Sequence, residues 1–571
     1  MFSAQQPFSN AAWGRTKTHL GFAIFFSALV NLLYLAPTIY MIQVYDRVVP
    51  TRGGLTLVFI TVVMLFALAT LALLDQVRNN ILHKASITLD QDLGPRLVRM
   101  TLTGQSATAA PQQVMRNFDT IKQMLASPAL GAVMDLPWTP IYIIVATIIH
   151  PYLGLATVVG AVILLILAIA NDRATRAAAK AASDASSSTY FAQEALGGAL
   201  DTIRALGMRE ALVRQFVSAR EASAAAGRAA TQTSGRYGGV IRFARLALQS
   251  LALGIGALLA IKDLISAGAI ISASVLMARA LAPIDQVVGS WRYLGDARNA
   301  LAQLNGFLLG HNEETARTTL PRPKPLLQVE GVTVAAQGLD RLILRDVSFT
   351  VDRPAIVAIA GASGAGKTTL LQVIANARAP DRGAVRLDHA KHADWNPEQL
   401  SEHVGYLPQD SVLLSGTIKD NISRFRSRLG EDVDAAAIDA ATKAGVHAMI
   451  LRLPGGYDTP LGPRGRGLSA GQQQRVGLAR AFYGNPVLTV LDEPYSALDA
   501  DSETNLIEAL KALRDRGGIV VLAAHKNAFI NISDYLVIMH DGALQAFGPT
   551  EAVLTRMRGN TAAPGRAQVA S

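Results

Sequence analysis

Two hydrophobic rhythms divide the chain. Up to about residue 295 apolar residues come in long unbroken runs, whereas beyond it they fall into short blocks alternating with helical periods, as in a globular α/β domain. A helix needs about 20 apolar residues to cross the hydrocarbon of a bilayer. Six runs meet that length: Leu20–Ile42, Leu55–Leu74, Leu130–Ile149, Tyr152–Ala170, Val240–Ile261 and Ala269–Trp291. Only "HP" (His150–Pro151) separates the third from the fourth, which predicts a tight hairpin. One such run alone would equally suit the buried helix of a soluble core; six in succession point to a membrane bundle.

The charges then orient the spans. Between spans two and three lie Arg78, Lys84, Arg96, Arg99, Arg116 and Lys122; between spans four and five lie nine further arginines and lysines, from Arg173 to Arg236. The opposite side carries only Arg47, Arg52 and Lys262. Basic loops stay in the cytoplasm, so both large loops and both termini are expected there. Both loops are rich in Ala, Gln and Arg and poor in breakers, which predicts helical extensions of the spans. The N-terminal apolar run is too long for a cleavable signal and reads as an anchor.

Composition agrees with this division. The chain has 571 residues, half of them hydrophobic and 17% charged, with a net charge of +10. Because the basic residues flank the apolar runs, the charge points to a lipid bilayer and not to nucleic acid. The absence of cysteine excludes disulfides and thiolate metal sites. The expected domains are a transmembrane domain over 1–309, a polar, Pro-punctuated linker over 310–325, an α/β domain over 326–555 and a disordered tail over 556–571.

Chemistry concentrates in the α/β half. "AIVAIA" (355–360) reads as a short buried strand, and "KTTLLQVI" after it as a helix. Between them Gly361-x-x-x-x-Gly366-Lys367-Thr368 fits the P-loop template in the context it requires. Gly361, Ser363, Gly364 and Gly366 let backbone N–H groups approach phosphates at a helix N-terminus, with Thr369 in its first turn. Lys367 suits the β- and γ-phosphates of ATP, and the Thr368 hydroxyl suits Mg²⁺. "PVLTVLDEP" (486–494) is an apolar strand ending in Asp492, suited to the Mg²⁺ shell, and Glu493, suited to polarising an attacking water. Such an acidic pair elsewhere would simply cap a helix; beside a P-loop it reads as catalytic. His525, after the strand in "VVLAAHK", would contact the γ-phosphate, although a lone histidine there is more often structural.

"LSAGQ" (468–472) closely resembles the LSGGQ signature of the ABC ATPases, with Ala470 replacing the middle glycine. The resemblance covers roughly 325–555. It implies that Ser469, Gly471 and Gln472 cap the nucleotide held by the P-loop of a second copy, so that a homodimer completes two sites. It also implies a Q-loop at Gln409, a catalytic and Mg²⁺-linked position, and a D-loop over Ser496–Asp499, with Asp499 at the nucleotide. Family members usually stack an aromatic on adenine near the start of this domain; here Ala336 takes that place, which predicts weak discrimination between ATP and GTP.

Six spans before one ATPase domain match the ABC exporter half-transporter. "MIQVYDRVVPT" (41–51), "DLPWTPIYI" (135–143), "LMARALAPIDQVVGSWR" (276–292) and "LDEPYSALD" (491–499) resemble type I secretion ATPases of the PrtD-like branch. That resemblance implies a multi-pass protein of the bacterial inner membrane that exports an unfolded polypeptide with a C-terminal signal, together with a periplasmic membrane-fusion adaptor and an outer-membrane channel. With about 19 residues before the first span and no cysteine, leader cleavage during export is not expected. The alternative is an exporter of lipids or small hydrophobic molecules. Segments 111–122 and 194–210 are the expected transmission points, the second resembling a coupling helix. Asp135, Arg279 and Asp285 are costly inside spans and read either as lining the path or as joining the two halves. Arg279 and Asp285, six apart, differ by about 600° of helix rotation and are not expected to pair.

Overall fold

The computed structural model describes residues 10–103, 111–197, 200–310, 319–336, 341–496, 498 and 500–561. The chain divides into two compact units, Met1–Asn312 and Glu313–Ser571.

The first unit is helical. Helices α1 (Asn10–Leu33), α2 (Ala36–Gln43), α3 (Gly54–Thr103), α4 (Pro111–Leu125), α5 (Pro128–Asp135), α6 (Thr139–Ile149), α7 (Pro151–Gly197), α8 (Leu200–Ala205), α9 (Arg209–Ile261), α10 (Ala267–Gly289) and α11 (Trp291–Gly310) follow in order. Among the described residues six stretches are long and apolar enough to cross a membrane, and each contains or closely overlaps one predicted run. The start of α3 is apolar all round, and Leu55, Phe59, Val63 and Phe66 are each more than two-thirds exposed, as lipid-facing residues would be. His150 is extended (φ −162°, ψ 137°) ahead of Pro151, which opens α7; proline disfavours the helical region for the residue before it and suits the first helical position. The sixth span ends two residues earlier than expected. The helix breaks at Ser290 after Gly289, a pair that kinks helices, so Trp291 opens α11 instead. The first run is also broken, between α1 and α2, ahead of Pro37.

The loops between spans are the expected helical extensions. Leu89, Leu93 and Leu97 make a one-sided stripe on α3; it buries against Val114, Phe118, Ile121 and Leu125 of α4 and Ala300, Leu304 and Leu308 of α11. Segment 111–122 is thus folded onto its own unit by its apolar face.

Charges in the spans are engaged within the chain. Arg78 donates to Asp135 (2.8 Å) and to Asp75, while Asp135 also accepts from Ser27 and from Asn31 (2.7 Å). The Tyr142 hydroxyl donates to Asn31. The Arg279 guanidinium lies over the Tyr34 ring at 4.1 Å, and Asp285 pairs with Arg245 at 3.4 Å, so the two residues find separate partners. Where the chain leaves α2, Asp46 sits in a π-helical turn, Val44–Val48, and its carboxylate accepts from Ser266 and from the Gly268 N–H (2.7 Å) at the start of α10. A carboxylate suits the positive end of a helix.

The second unit holds a six-stranded sheet. Its strands are β3 (Ala355–Gly361), β6 (Val404–Leu407), β7 (Leu488–Leu491), β8 (Ile519–Ala523), β9 (Tyr535–His540) and β10 (Ala543–Pro549), in the order β10-β9-β3-β8-β7-β6. All neighbours are parallel except β9 and β10. Ala355, Val357 and Ile359 pack into one core and Ile356 and Ala358 into another on the opposite face. Burial on both faces is why this strand reads as a continuous apolar run. A four-stranded antiparallel sheet of β1 (Leu327–Ala335), β2 (Leu342–Val351), β4 (Arg382–Leu387) and β5 (Ala390–Lys391) covers the first core.

Both edges of this unit differ from expectation. Leu320, inside the predicted linker, packs on the first core and its N–H donates to Gln399 (3.0 Å). The last helix, Thr550–Thr561, runs past residue 555 into the predicted tail. Arg556, Met557 and Arg558 are good helix formers, and Arg558 in the last turn complements the negative C-terminal end of the helix.

Candidate functional site

The parallel strands bring the predicted residues to one edge of the sheet. In register, Ile359 of β3 lies beside Ala523 of β8, and Leu522 beside Leu491 of β7, which in turn lies beside Leu407 of β6. Gln409, Asp492, Glu493 and His525 therefore follow their strands at the same C-terminal edge as the P-loop, where ligands bind in open parallel sheets.

The P-loop turns between β3 and the helix Lys367–Ile374 through three glycines with positive φ, Gly361 (155°), Gly364 (81°) and Gly366 (92°). A Cβ at Gly361 would lie 2.3 Å from the Met539 carbonyl, so only glycine fits there. Lys367 is buried and its Nζ donates to the carbonyls of Gly361 and Ala362 (2.9 Å each). Burial pushes its pKa down, opposed by Glu493 and Asp492. Burial pushes the Asp492 carboxyl up, while the Thr368 hydroxyl, Lys367 and His525 hold it down. The Oδ2 atom of Asp492 is fully buried with no hydrogen-bond partner among the described residues. An orphaned carboxylate oxygen beside a hydroxyl and a phosphate cradle is a donor set that fits a hard cation such as Mg²⁺.

Glu493 is held in the left-handed region (φ 46°), unusual for a residue with a side chain and a form of strain that gathers at functional sites. Its Oε1 lies 3.4 Å from Nε2 of His525. Two supports escaped the motif reading. The Tyr495 hydroxyl accepts the His525 N–H (2.6 Å), and its ring stacks on Phe529 at 4.6 Å. Gln474 donates to the Glu493 carbonyl (3.3 Å) and to Ser496 (2.9 Å), tying the signature helix to the acidic turn. Gln474 was visible only as one of three consecutive glutamines; it faces inward by its place on the helix.

Ser469 caps the signature helix Ala470–Phe482 in a capping box: its hydroxyl accepts from the Gln472 N–H (3.3 Å), and the Gln472 side chain accepts from the Ser469 N–H (2.9 Å). Ser469 and Ala470 are exposed, so a pre-formed helix N-terminus with Gly471 in its first turn faces solvent. Gln409, Ser363 and Gly364 are also exposed, and Thr369 is partly so. Ala497 and Asp499 lie outside the described residues. Ala336 directly follows β1, and its N–H donates to the Arg341 carbonyl.

Family models for the ABC transporter and the ABC transporter transmembrane region match residues 344–496 and 20–283. The type I secretion system ATP-binding protein PrsD of Rhizobium meliloti (strain 1021) is 40% identical over 92% of this chain and 91% of its own length. The chain belongs to the ABC exporters of type I secretion. The alpha-hemolysin translocation ATP-binding protein HlyB of Escherichia coli is 27% identical over 93% of this chain and 75% of that protein. A solved bacterial Atm1-family ABC exporter with ATP bound shares the fold, with a TM-score of 0.82 at 22% identity over 98% of this chain and all of that one. The expected fold class is the one found. This exporter binds ATP, couples its hydrolysis to transport and is a multi-pass inner-membrane protein.

Proposed function

We propose that this exporter drives an unfolded polypeptide with a C-terminal secretion signal across the inner membrane, as a homodimer. A periplasmic membrane-fusion adaptor and an outer-membrane channel complete the route, and the ATPase unit and both termini are cytoplasmic. The observation that carries the reading is the Glu493–His525 pair, set at the same sheet edge as the P-loop lysine in a chain that also has six spans. The similarity to a secretion ATP-binding protein along 92% of the chain supports the polypeptide cargo.

In this account the P-loop N–H groups and Lys367 cradle the phosphates. Glu493 orients and accepts a proton from the water that attacks the γ-phosphorus as its bond to ADP breaks, and His525 holds the carboxylate and the γ-phosphate in place. Thr368 and Asp492, with Gln409, would hold Mg²⁺, which would supply positive charge against the phosphates. The exposed signature, Ser469 to Gln472, supplies anion-binding donors to the P-loop of the second copy, and Asp499 lines that same site. Closure over ATP then works through segments 111–122 and 194–210 on the membrane helices.

The test is cargo movement in proteoliposomes holding the full chain. ATP-dependent uptake of an unfolded polypeptide with the C-terminal signal of a type I secreted protein, lost in Glu493→Gln, is the expected result. Movement of a fluorescent phospholipid or dye without adaptor proteins, and none of the polypeptide, would overturn it.

A further inference from the structure

The first unit contains a cavity of about 530 Å³ where spans two and three meet, at the end the charge bias places in the cytoplasm. It is within the volume range of small-ligand sites. Its walls are unlike the rest of the bundle. Gln76, Asn79 and Asn80 come from α3, directly after the apolar stretch that ends at Leu74, and Gln286 comes from α10. Arg78 and Asp135 form its floor. Arg78 is 8% exposed; its two terminal nitrogens donate to the carboxylates of Asp135 and Asp75, and its buried Nε has no hydrogen-bond partner among the described residues.

We infer that this cavity is a reception site for an extended stretch of polypeptide main chain. It rests on the polypeptide-export reading above and names the place where that cargo enters. A chain passing into a membrane region must keep its N–H and C=O groups hydrogen-bonded. A carboxamide carries two donors and an acceptor, so Gln and Asn can serve either main-chain group whatever the side chains of the cargo. Arg78 stands between the carboxylates of Asp75 and Asp135, which leaves one net negative charge on the floor, and the amides of Gln76, Asn79, Asn80 and Gln286 are the groups that can serve either main-chain partner. An apolar occupant would leave the remaining donors and acceptors of these amides without partners.

The chain has no cysteine, so single thiols introduced into it report cleanly. The probe is an unstructured peptide of Gly, Ser and Asn bearing one central cysteine as its thionitrobenzoate disulfide, offered to the full chain in lipid nanodiscs. Asn79→Cys and Gln286→Cys are expected to capture it at least about tenfold faster than Lys262→Cys on the far side, with thiol-free peptide competing. The double variant Asn79→Leu/Gln286→Leu should bind a fluorescent form of the peptide about tenfold more weakly. Capture no faster than at Lys262→Cys, or unchanged peptide affinity in the double variant, would overturn the cavity assignment while leaving export of polypeptide intact. If the unsubstituted chain binds rhodamine 6G and not the peptide, the export reading falls as well.

Discussion

Replacing Gly361 by alanine tests how the P-loop is set by the sheet beside it. Gly361 pairs with Met539 across β3 and β9, and an added Cβ would lie 2.3 Å from the Met539 carbonyl oxygen and 3.2 Å from its carbon. Neither atom belongs to a flexible side chain, so two strand ends must part. The φ of 155° adds strain of its own. Backbone strain of about 1–3 kcal/mol and overpacking of about 1–3 kcal/mol sum to roughly 2–6 kcal/mol. Gly364, in the same loop, provides the control. Its φ is 81°, yet nothing lies within 4 Å of an added Cβ, so Gly364→Ala carries only the left-handed cost, about 1–2 kcal/mol. The assay is thermal unfolding of the full chain without nucleotide, followed at the ATPase-unit transition. For a unit of this size each kcal/mol moves Tm by about 2–4 °C, so Gly361→Ala should fall by on the order of 10 °C and Gly364→Ala by a few degrees. Equal shifts would refute the reasoning, because the carbonyl clash would then carry no energy.

Three other outcomes follow from the same geometry. Glu493→Gln should retain ATP binding while lowering ATP hydrolysis by about 10²–10⁴-fold, the usual worth of a positioned base, measured by phosphate release. His392 is buried, which pushes its pKa down to about 4. The fold therefore resists a proton that the unfolded chain takes up near pH 6.5, and the ATPase unit should lose stability as pH falls from about 6.5 to 4, by roughly 3 kcal/mol, with no effect above. His392→Leu should flatten that dependence in denaturant titrations. Ala336→Tyr should raise the preference for ATP over GTP, read as the ratio of KM values, with base–aromatic stacking worth about 1–3 kcal/mol.

The sequence showed most clearly what depends on local pattern. Six apolar runs and a strand–loop–helix around Lys367 are short-range signals, and parallel pairing carries the acidic turn and His525 to the P-loop edge without further instruction. What escaped depends on helix continuation and backbone conformation. Arg78 reads as a loop charge because the hydropathy of span two ends at Leu74, yet α3 continues unbroken and places it against Asp135 of another span. Asp75, three residues before it on the same helix, was the available hint. The left-handed turn at Glu493 and the inward reach of Gln474 have no mark in residue type. The break at Gly289–Ser290 did have one, hidden inside an apolar window that runs on to Trp291.

Composite nucleotide sites are the core of the account, and nucleotide trapping in mixed dimers addresses them most directly. In a Glu493→Gln background, which slows hydrolysis, chains carrying Lys367→Ala are combined with chains carrying Ser469→Arg, and occluded ATP is counted per purified mixed dimer. If each site joins the P-loop of one copy to the signature of the other, the mixed dimer keeps one intact site and traps one ATP, whereas neither parent dimer traps any. A mixed dimer that traps none would place both elements of a site in the same copy and contradict the account.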